Sequence, residues 1–471
     1  GAATAAASRL PNALLAAAML VGLALFLRRV HSARAAWLAL FLGLTSAFVF
    51  GFGRAATTDM TLTAPLALAL MALYLWLRED RPAWLNWAAA ALAFATLAKG
   101  PVAVVLVALT LIGFCATQRQ WQWLRKLWRP SAIAIYFAIA APWFIAVQWA
   151  NPQFVREFFL QQNLERFASN RFAHPQPLWY YLPVLLLAVF PWTGWLGLPL
   201  QQAIHRLRAR GWRRAWDGRD APLHFWLLLW MLAPVVFFSL SQSKLPGYIL
   251  PAIPAAIALI AVAAAERWEK LPHWPLLISA VLAGLLPVGV RWAPWFLAPR
   301  GQRVPATMLL HDTGGLLLAA LAVFLLLYLV HRRRPVVLIA ATCLIVAAAV
   351  FELSHAPLGH AVDVSLSGQA LGRQVEAQCS EGLPQTCGDV PLYIGNLNRA
   401  LAYGAQFELR AELTPWPEST LPPRAMVVMD KSAVNAFLAR YGAAFDMARL
   451  SRFDPPPPAA APWVVVRLRR R

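Results

Sequence analysis

Apolar stretches of membrane-spanning length recur along the chain with short polar breaks between them. They lie near 10–27, 36–53, 60–77, 83–98, 101–116, 131–149, 178–200, 222–240, 247–265, 273–290, 312–330 and 336–353. A membrane helix needs about 20 mostly apolar residues, so the pattern predicts about twelve spans. The pair 83–98 and 101–116 is split by Lys99-Gly100-Pro101, which suits either two spans or a re-entrant hairpin; two spans keep the charges in phase. From Ser354 the pattern changes. Pro391–Gly395, Ala425–Met429 and Trp463–Leu468 read as strands, 365–378 and 431–442 as helices, and Pro455–Pro458 as a stiff connector. The expected architecture is an all-α polytopic membrane domain, residues 1–353, followed by a small C-terminal α/β domain, residues 354–471.

The charges give this arrangement a direction. Alternate loops hold Arg28, Arg29 and Arg34; Arg78 and Arg81; Arg119, Arg125, Lys126 and Arg129; six arginines between 206 and 219; Arg267 and Lys270; and Arg332–Arg334. The intervening loops hold fewer than half as many basic residues. The positive-inside bias places the first set in the cytoplasm. Asp59, Lys99, Lys244, the polar loop Asn151–Tyr181 and the C-terminal domain then face outward. Cys379 and Cys387, eight residues apart in polar sequence, suit a disulfide in an extracytoplasmic domain. Composition agrees: 60% of the 471 residues are hydrophobic and 13% charged, against about half and about a quarter in soluble proteins. The net charge of +21 is therefore a topology signal, and nucleic acid is not an expected partner. No internal repeat is evident, so the inverted-repeat signature of many transporters is missing.

Four polar groups fall on the outward set, each at the end of an apolar segment. In Arg54-Ala-Ala-Thr-Thr-Asp59-Met60 the bland expectation is a solvated turn closed by an Arg54–Asp59 ion pair. A carboxylate at membrane depth otherwise signals a role. In Leu97-Ala-Lys99-Gly100-Pro101 the lysine either snorkels or supplies a point charge for a phosphate. The loop from Asn151 carries Glu157, Asn163, Glu165, Arg166, Arg171 and His174 and ends in Trp179-Tyr180-Tyr181. Its guanidinium groups offer a donor fork to phosphate. One histidine and two glutamates without fixed ligand spacing leave a divalent metal open. The fourth group, Ser239 to Pro251, carries Lys244 and Tyr248.

In this order, TTDM, LAKGP, APWF, NPQFVREFFLQQNLERF, HPQPLWYYLPVLLL, FPW and SKLPGYILP resemble the polyprenyl-phosphate-dependent glycosyltransferases. That family includes bacterial lipid A aminoarabinose transferases and dolichyl-phosphate-mannose protein mannosyltransferases. The resemblance covers roughly residues 5–265. It implies a GT-C membrane enzyme, a hexosyl- or pentosyltransferase that moves a sugar with inversion from an undecaprenyl-phosphate donor to lipid A or a protein. Its place would be the periplasmic face of a bacterial inner membrane, among membrane lipids. Lys99, Arg166, Lys244 and Tyr248 would bind the donor phosphate; Asn163, His174, Tyr180 and Tyr181 would line the substrate site; Asp59 would support catalysis. The family's principal Asp-Glu motif is expected upstream of Gly1, and the lipid A branch tends to carry a histidine where Asn163 stands. The competing expectations are an O-antigen ligase or oligosaccharide transferase with a pyrophosphate-linked donor, and a transporter. The scarcity of mid-helix ionisable residues counts against the transporter.

Overall fold

A computed structural model describes residues 5–156, 176–214, 221–279, 335–355, 368–380, 391–395, 399–409, 413–415, 421–422, 424–449 and 463–470, with isolated positions beside them. It divides into two compact units, residues 1–283 with 323–346 and residues 284–322 with 347–471.

The first unit is helical. Its elements are α1 (Ala5–Val30), α2 (Ala33–Thr45), α3 (Ala47–Gly53), α4 (Thr58–Glu79), α5 (Pro82–Lys99), α6 (Val102–Gln118), α7 (Gln122–Lys126), α8 (Pro130–Ala150), α9 (Tyr181–Ala188), α10 (Gly197–Arg214), α11 (Ala221–Ser239) and α12 (Ile253–Glu266). A 3-10 turn, Pro246–Ala252, leads directly into α12. Among the described residues five helices are long and apolar enough to cross a membrane, or up to seven if each of two bent pairs is one span. The protein is thus a polytopic, mostly helical membrane protein.

The sequence pattern reads 36–53 and 178–200 as single spans, and each is bent in the structure. Ala33–Thr45 and Ala47–Gly53 meet at 62°, and Leu178–Ala188 and Trp192–His205 at 112°. Ser46 leaves helical geometry at the first break (φ −77°, ψ 138°). The freed amide of Ala47 donates to the carbonyl of Phe190 in the second break, at 2.9 Å, and Trp192 Nε1 donates to Thr45 Oγ1 at 2.8 Å. Each break therefore satisfies the other's polar groups, as a broken helix inside a membrane protein must.

Burial separates the helices by role. The most apolar windows of α4 and of Pro246–Glu266 are 83% and 94% buried, whereas that of α8 is 11% buried. The central position of α12 follows from its sequence, IPAAIALIAVAAAE. Alanines present so little side chain that neighbouring backbones approach closely, which is how helices associate where lipid removes the hydrophobic drive. α1 approaches α4 in the same way: a Cβ on Gly22 would lie 2.7 Å from a methyl of Leu68. The two helices are also tied at their C-terminal ends, where Arg29 donates twice to Glu79 at 2.6 and 2.8 Å. There Arg78 also donates to the Val30 carbonyl at 2.8 Å. At 22 residues α4 is about 33 Å long, enough to cross a hydrocarbon core of about 30 Å. Asp59 lies in its first turn and Arg78 in its last, so the two groups stand at opposite ends of the helix.

In the second unit, α13 (Pro335–His355), which begins in the first, precedes five strands: β1 (Leu392–Gly395), β2 (Thr414–Pro415), β3 (Arg424–Asp430), β4 (Phe445–Arg449) and β5 (Trp463–Arg470). They form one sheet in the order β2-β1-β3-β5-β4. β1 runs parallel to β2 and β3, and β5 antiparallel to β3 and β4. Strand alternation sends Met426, Val428, Trp463 and Val465 to one face, where they pack with Leu371 and Val375 of α14 (Gln369–Ser380) and Leu401 and Ala405 of α15 (Arg399–Leu409). Ala425, Val427, Met429, Val464 and Val466 go to the other face, against Phe437 and Tyr441 of α16 (Val434–Tyr441). A sheet covered on both sides explains why Ala425–Met429 of β3 and Trp463–Val466 of β5 read as continuous apolar runs.

Candidate functional site

Asp59 lies in the first turn of α4, where the helix dipole favours a negative charge. Lys99 is the last residue of α5, and Gly100 follows with φ +74°, a conformation that glycine adopts without steric cost because it has no Cβ. The Lys99 ammonium donates directly to Asp59 Oδ1. Their side chains are 25% and 17% exposed, so the pair is largely shielded from bulk water without being sealed. The sequence pattern offers Arg54 as the partner of Asp59 and leaves Lys99 alone. Instead, Arg54 stacks its guanidinium over Phe50 at 5.0 Å, and the carboxylate goes to a lysine 40 residues away.

The Pro246–Ala252 turn lies over this pair. A Cβ on Gly247 would come within 3.2 Å of Asp59 Cγ and 2.9 Å of Phe52 Cζ, so only a glycine lets the chain pass this close. The next residue, Tyr248, places its ring centroid 5.9 Å from the Lys99 ammonium, near the outer limit of a cation–π contact, and packs against Phe238 at 5.0 Å. Trp230 Nε1 donates to the Pro251 carbonyl at 2.9 Å and fixes the far end of the turn.

Just before the turn, Lys244 is 7% exposed. Its ammonium donates to the Ser241 carbonyl at 2.6 Å and to the Gln176 carbonyl at 3.0 Å. It thereby straps the end of the 151–181 loop to the segment leading into α12. Tyr181, fully buried, donates from its hydroxyl to the Leu245 carbonyl at 3.2 Å, and Tyr180 packs edge-on against it at 5.1 Å. The aromatic run is therefore split: Trp179 is exposed, while its two neighbours join the site.

Six of the residues expected from the sequence are thus brought together: Asp59, Lys99, Tyr180, Tyr181, Lys244 and Tyr248. Asn163, Arg166 and His174 lie outside the described residues, as does Cys387. Cys379 falls in α14 with its side chain outside them. Among the described residues no three or more His, Cys, Asp or Glu side chains are grouped to hold a metal ion.

Two residues escaped the sequence reading. Phe52 backs Gly247. Asn12, 4% exposed, donates both amide hydrogens to the turn before Asp59, reaching the carbonyls of Ala55 at 2.5 Å and Thr57 at 2.7 Å. The available signal was an amide inside an apolar segment, which is costly unless satisfied.

Residues 1–145 match the family model described as dolichyl-phosphate-mannose-protein mannosyltransferase. The undecaprenyl phosphate-alpha-4-amino-4-deoxy-L-arabinose arabinosyl transferase of Serratia proteamaculans is 31% identical over 261 residues, covering 54% of this chain and 44% of that protein. The transferase 2 of the same description from Pseudomonas fluorescens is 34% identical over 230 residues, covering 48% and 40%. The chain spans less than half the length of these curated relatives. In fold it is similar to ArnT from Cupriavidus metallidurans bound to undecaprenyl phosphate, with a TM-score of 0.75, 24% identity, and coverage of 98% of this chain and 84% of that one.

Proposed function

We propose that this chain, which is related to the polyprenyl-phosphate-dependent glycosyltransferases and has their GT-C fold, moves a sugar from an undecaprenyl-phosphate donor to lipid A or a protein acceptor. The observation that carries this reading is the Asp59–Lys99 pair beneath Gly247 and Tyr248, at the mouth of the two most buried spans. Inverting transfer breaks the bond between the sugar's anomeric carbon and the phosphate oxygen while the acceptor oxygen attacks from the opposite face. The bonding electrons leave on the phosphate. A cation held in place in a site of low water content stabilises that developing charge with little reorganisation.

Lys99 fills this role by exchanging Asp59 for the donor phosphate, while Asp59 keeps the ammonium aimed when no donor is bound. Lys244 and Tyr181 hold the surrounding backbone through the Gln176, Ser241 and Leu245 carbonyls, and Tyr180 and Tyr248 line the same region. Arg166 is assigned to the same phosphate, and Asn163 and His174 to the substrate. A carboxylate takes the acceptor proton when the acceptor is a hydroxyl, and the family's Asp-Glu motif is the candidate for it. The finer topology belongs to the same reading: twelve spans in a domain of residues 1–353, in a bacterial inner membrane, with the site and an α/β domain of residues 354–471 on the periplasmic side.

Full-length protein in nanodiscs, given radiolabelled undecaprenyl-phosphate sugar with lipid A or a peptide acceptor, is expected to label one acceptor and release undecaprenyl phosphate. Donor recovered intact with every acceptor would overturn the assignment. The orientation has its own check: peptide mapping of protein isolated from the envelope under thiol-trapping conditions should find Cys379 bonded to Cys387. Both residues recovered as trapped thiols would remove the argument for an oxidising, periplasmic compartment.

A further inference from the structure

We propose that Asn12 is a positioning residue: its side-chain amide clamps the turn that presents Asp59 to Lys99. The functional half of this statement rests on the transferase reading above, and the structural half does not. Asn12 is buried near the start of α1, in the otherwise apolar stretch 10–27. A primary amide there requires partners, because unmatched hydrogen-bonding groups are expensive away from water. Both of its hydrogens are used, one on Ala55 and one on Thr57. These acceptors flank the turn between α3 and α4, two and four residues before Asp59.

The turn has little else of its own to fix it. Thr57, the residue that caps α4, makes no side-chain capping bond. At the C-terminal end of α3, the amide of Arg54 reaches back to Gly51 instead of forward into the turn. The turn that leads into Asp59 is thus tied down from another helix. The α1–α4 pair does not depend on this clamp, since Gly22 against Leu68 and Arg29 on Glu79 hold it along its length. Losing the amide should loosen the turn and leave the helix pair in place. An error of about 1 Å at a reacting group can cost roughly 100-fold in rate, so the effect should be read in turnover.

Two measurements on full-length protein in nanodiscs test this with Asn12→Leu, which keeps the branched side-chain shape and removes both donors. Hydrogen exchange should rise in peptides covering residues 54–60 and stay at the wild-type level elsewhere in α1 and α4. Unchanged exchange in that turn would overturn the clamp whether or not the protein is a transferase. Transfer should fall roughly 10- to 100-fold, while the same substitution made in an Asp59→Asn background should cost almost nothing further, because residues acting through one another are non-additive. An equal loss in both backgrounds would show a structural role only and overturn the positioning claim. A wild-type protein that transfers nothing would sink the transferase reading, and exchange would still decide the clamp.

Discussion

Lys99→Met is expected to lower sugar transfer by roughly 10²- to 10³-fold, the range for removing one preorganised donor from a developing negative charge. Methionine keeps most of the length of the arm, so the space under Tyr248 stays filled. Two effects then act together. The leaving phosphate loses its cation, and Asp59 loses the ammonium that neutralises it, leaving an uncompensated carboxylate where another anion must bind. Removing one member of a buried pair also destabilises the fold, by about 3–5 kcal/mol where burial is complete. The partial exposure of this pair reduces that figure through solvent screening. The double variant Asp59→Asn, Lys99→Met separates the two contributions. It removes both charges, so thermal stability should return most of the way to wild type while transfer stays low. Initial rates with labelled donor, paired with melting curves in the same nanodiscs, read both. Wild-type rates in Lys99→Met, or recovery of transfer in the double variant, would take Lys99 out of the site.

The sequence shows which residues gather here better than how they pair. Asp59, Lys99, Lys244 and Tyr248 are each legible because each stands at the edge of an apolar segment on the same alternate set of loops, a purely one-dimensional signal. Their pairing is not legible. Arg54 is five residues from Asp59 and Lys99 is forty, and only the packing of α4 against α5 makes the distant residue the partner. Segment hydropathy also averages over single positions, which hides Asn12 within α1 and the breaks at Ser46 and Pro191 within apolar runs. In the second unit, the runs at 391–395, 425–429 and 463–468 coincide with β1, β3 and β5, because strands covered on both faces are apolar throughout. The short edge strand β2 and β4, whose sequence FDMAR mixes charge with apolar residues, carry no such signal.

Gly247→Val should cost transfer roughly 100-fold or more, by displacement and without touching any charge. A Cβ at this position alone lies 2.9 and 3.0 Å from two ring carbons of Phe52 and 3.2 Å from Asp59 Cγ. Valine adds two methyl groups beyond it. Three responses are open to the structure. If Phe52 moves, it must repack against Phe48, which it meets at 5.3 Å. If Asp59 moves, it leaves the Lys99 ammonium. If the turn lifts, Tyr248 withdraws from Lys99 and the Trp230–Pro251 bond lengthens. Two of the three disturb the ion pair or its cover, so the loss should appear in turnover with donor binding reduced less. Gly247→Ala isolates the first contact, because its tightest neighbour is the Phe52 ring. A loss of about 10-fold in that variant, partly restored by adding Phe52→Leu, would identify the ring as the obstacle. The same loss with no restoration would identify Asp59. Wild-type transfer in Gly247→Val would mean that the turn does not lie on the pair when the enzyme works, and the site drawn from Asp59, Lys99 and Tyr248 would fail with it.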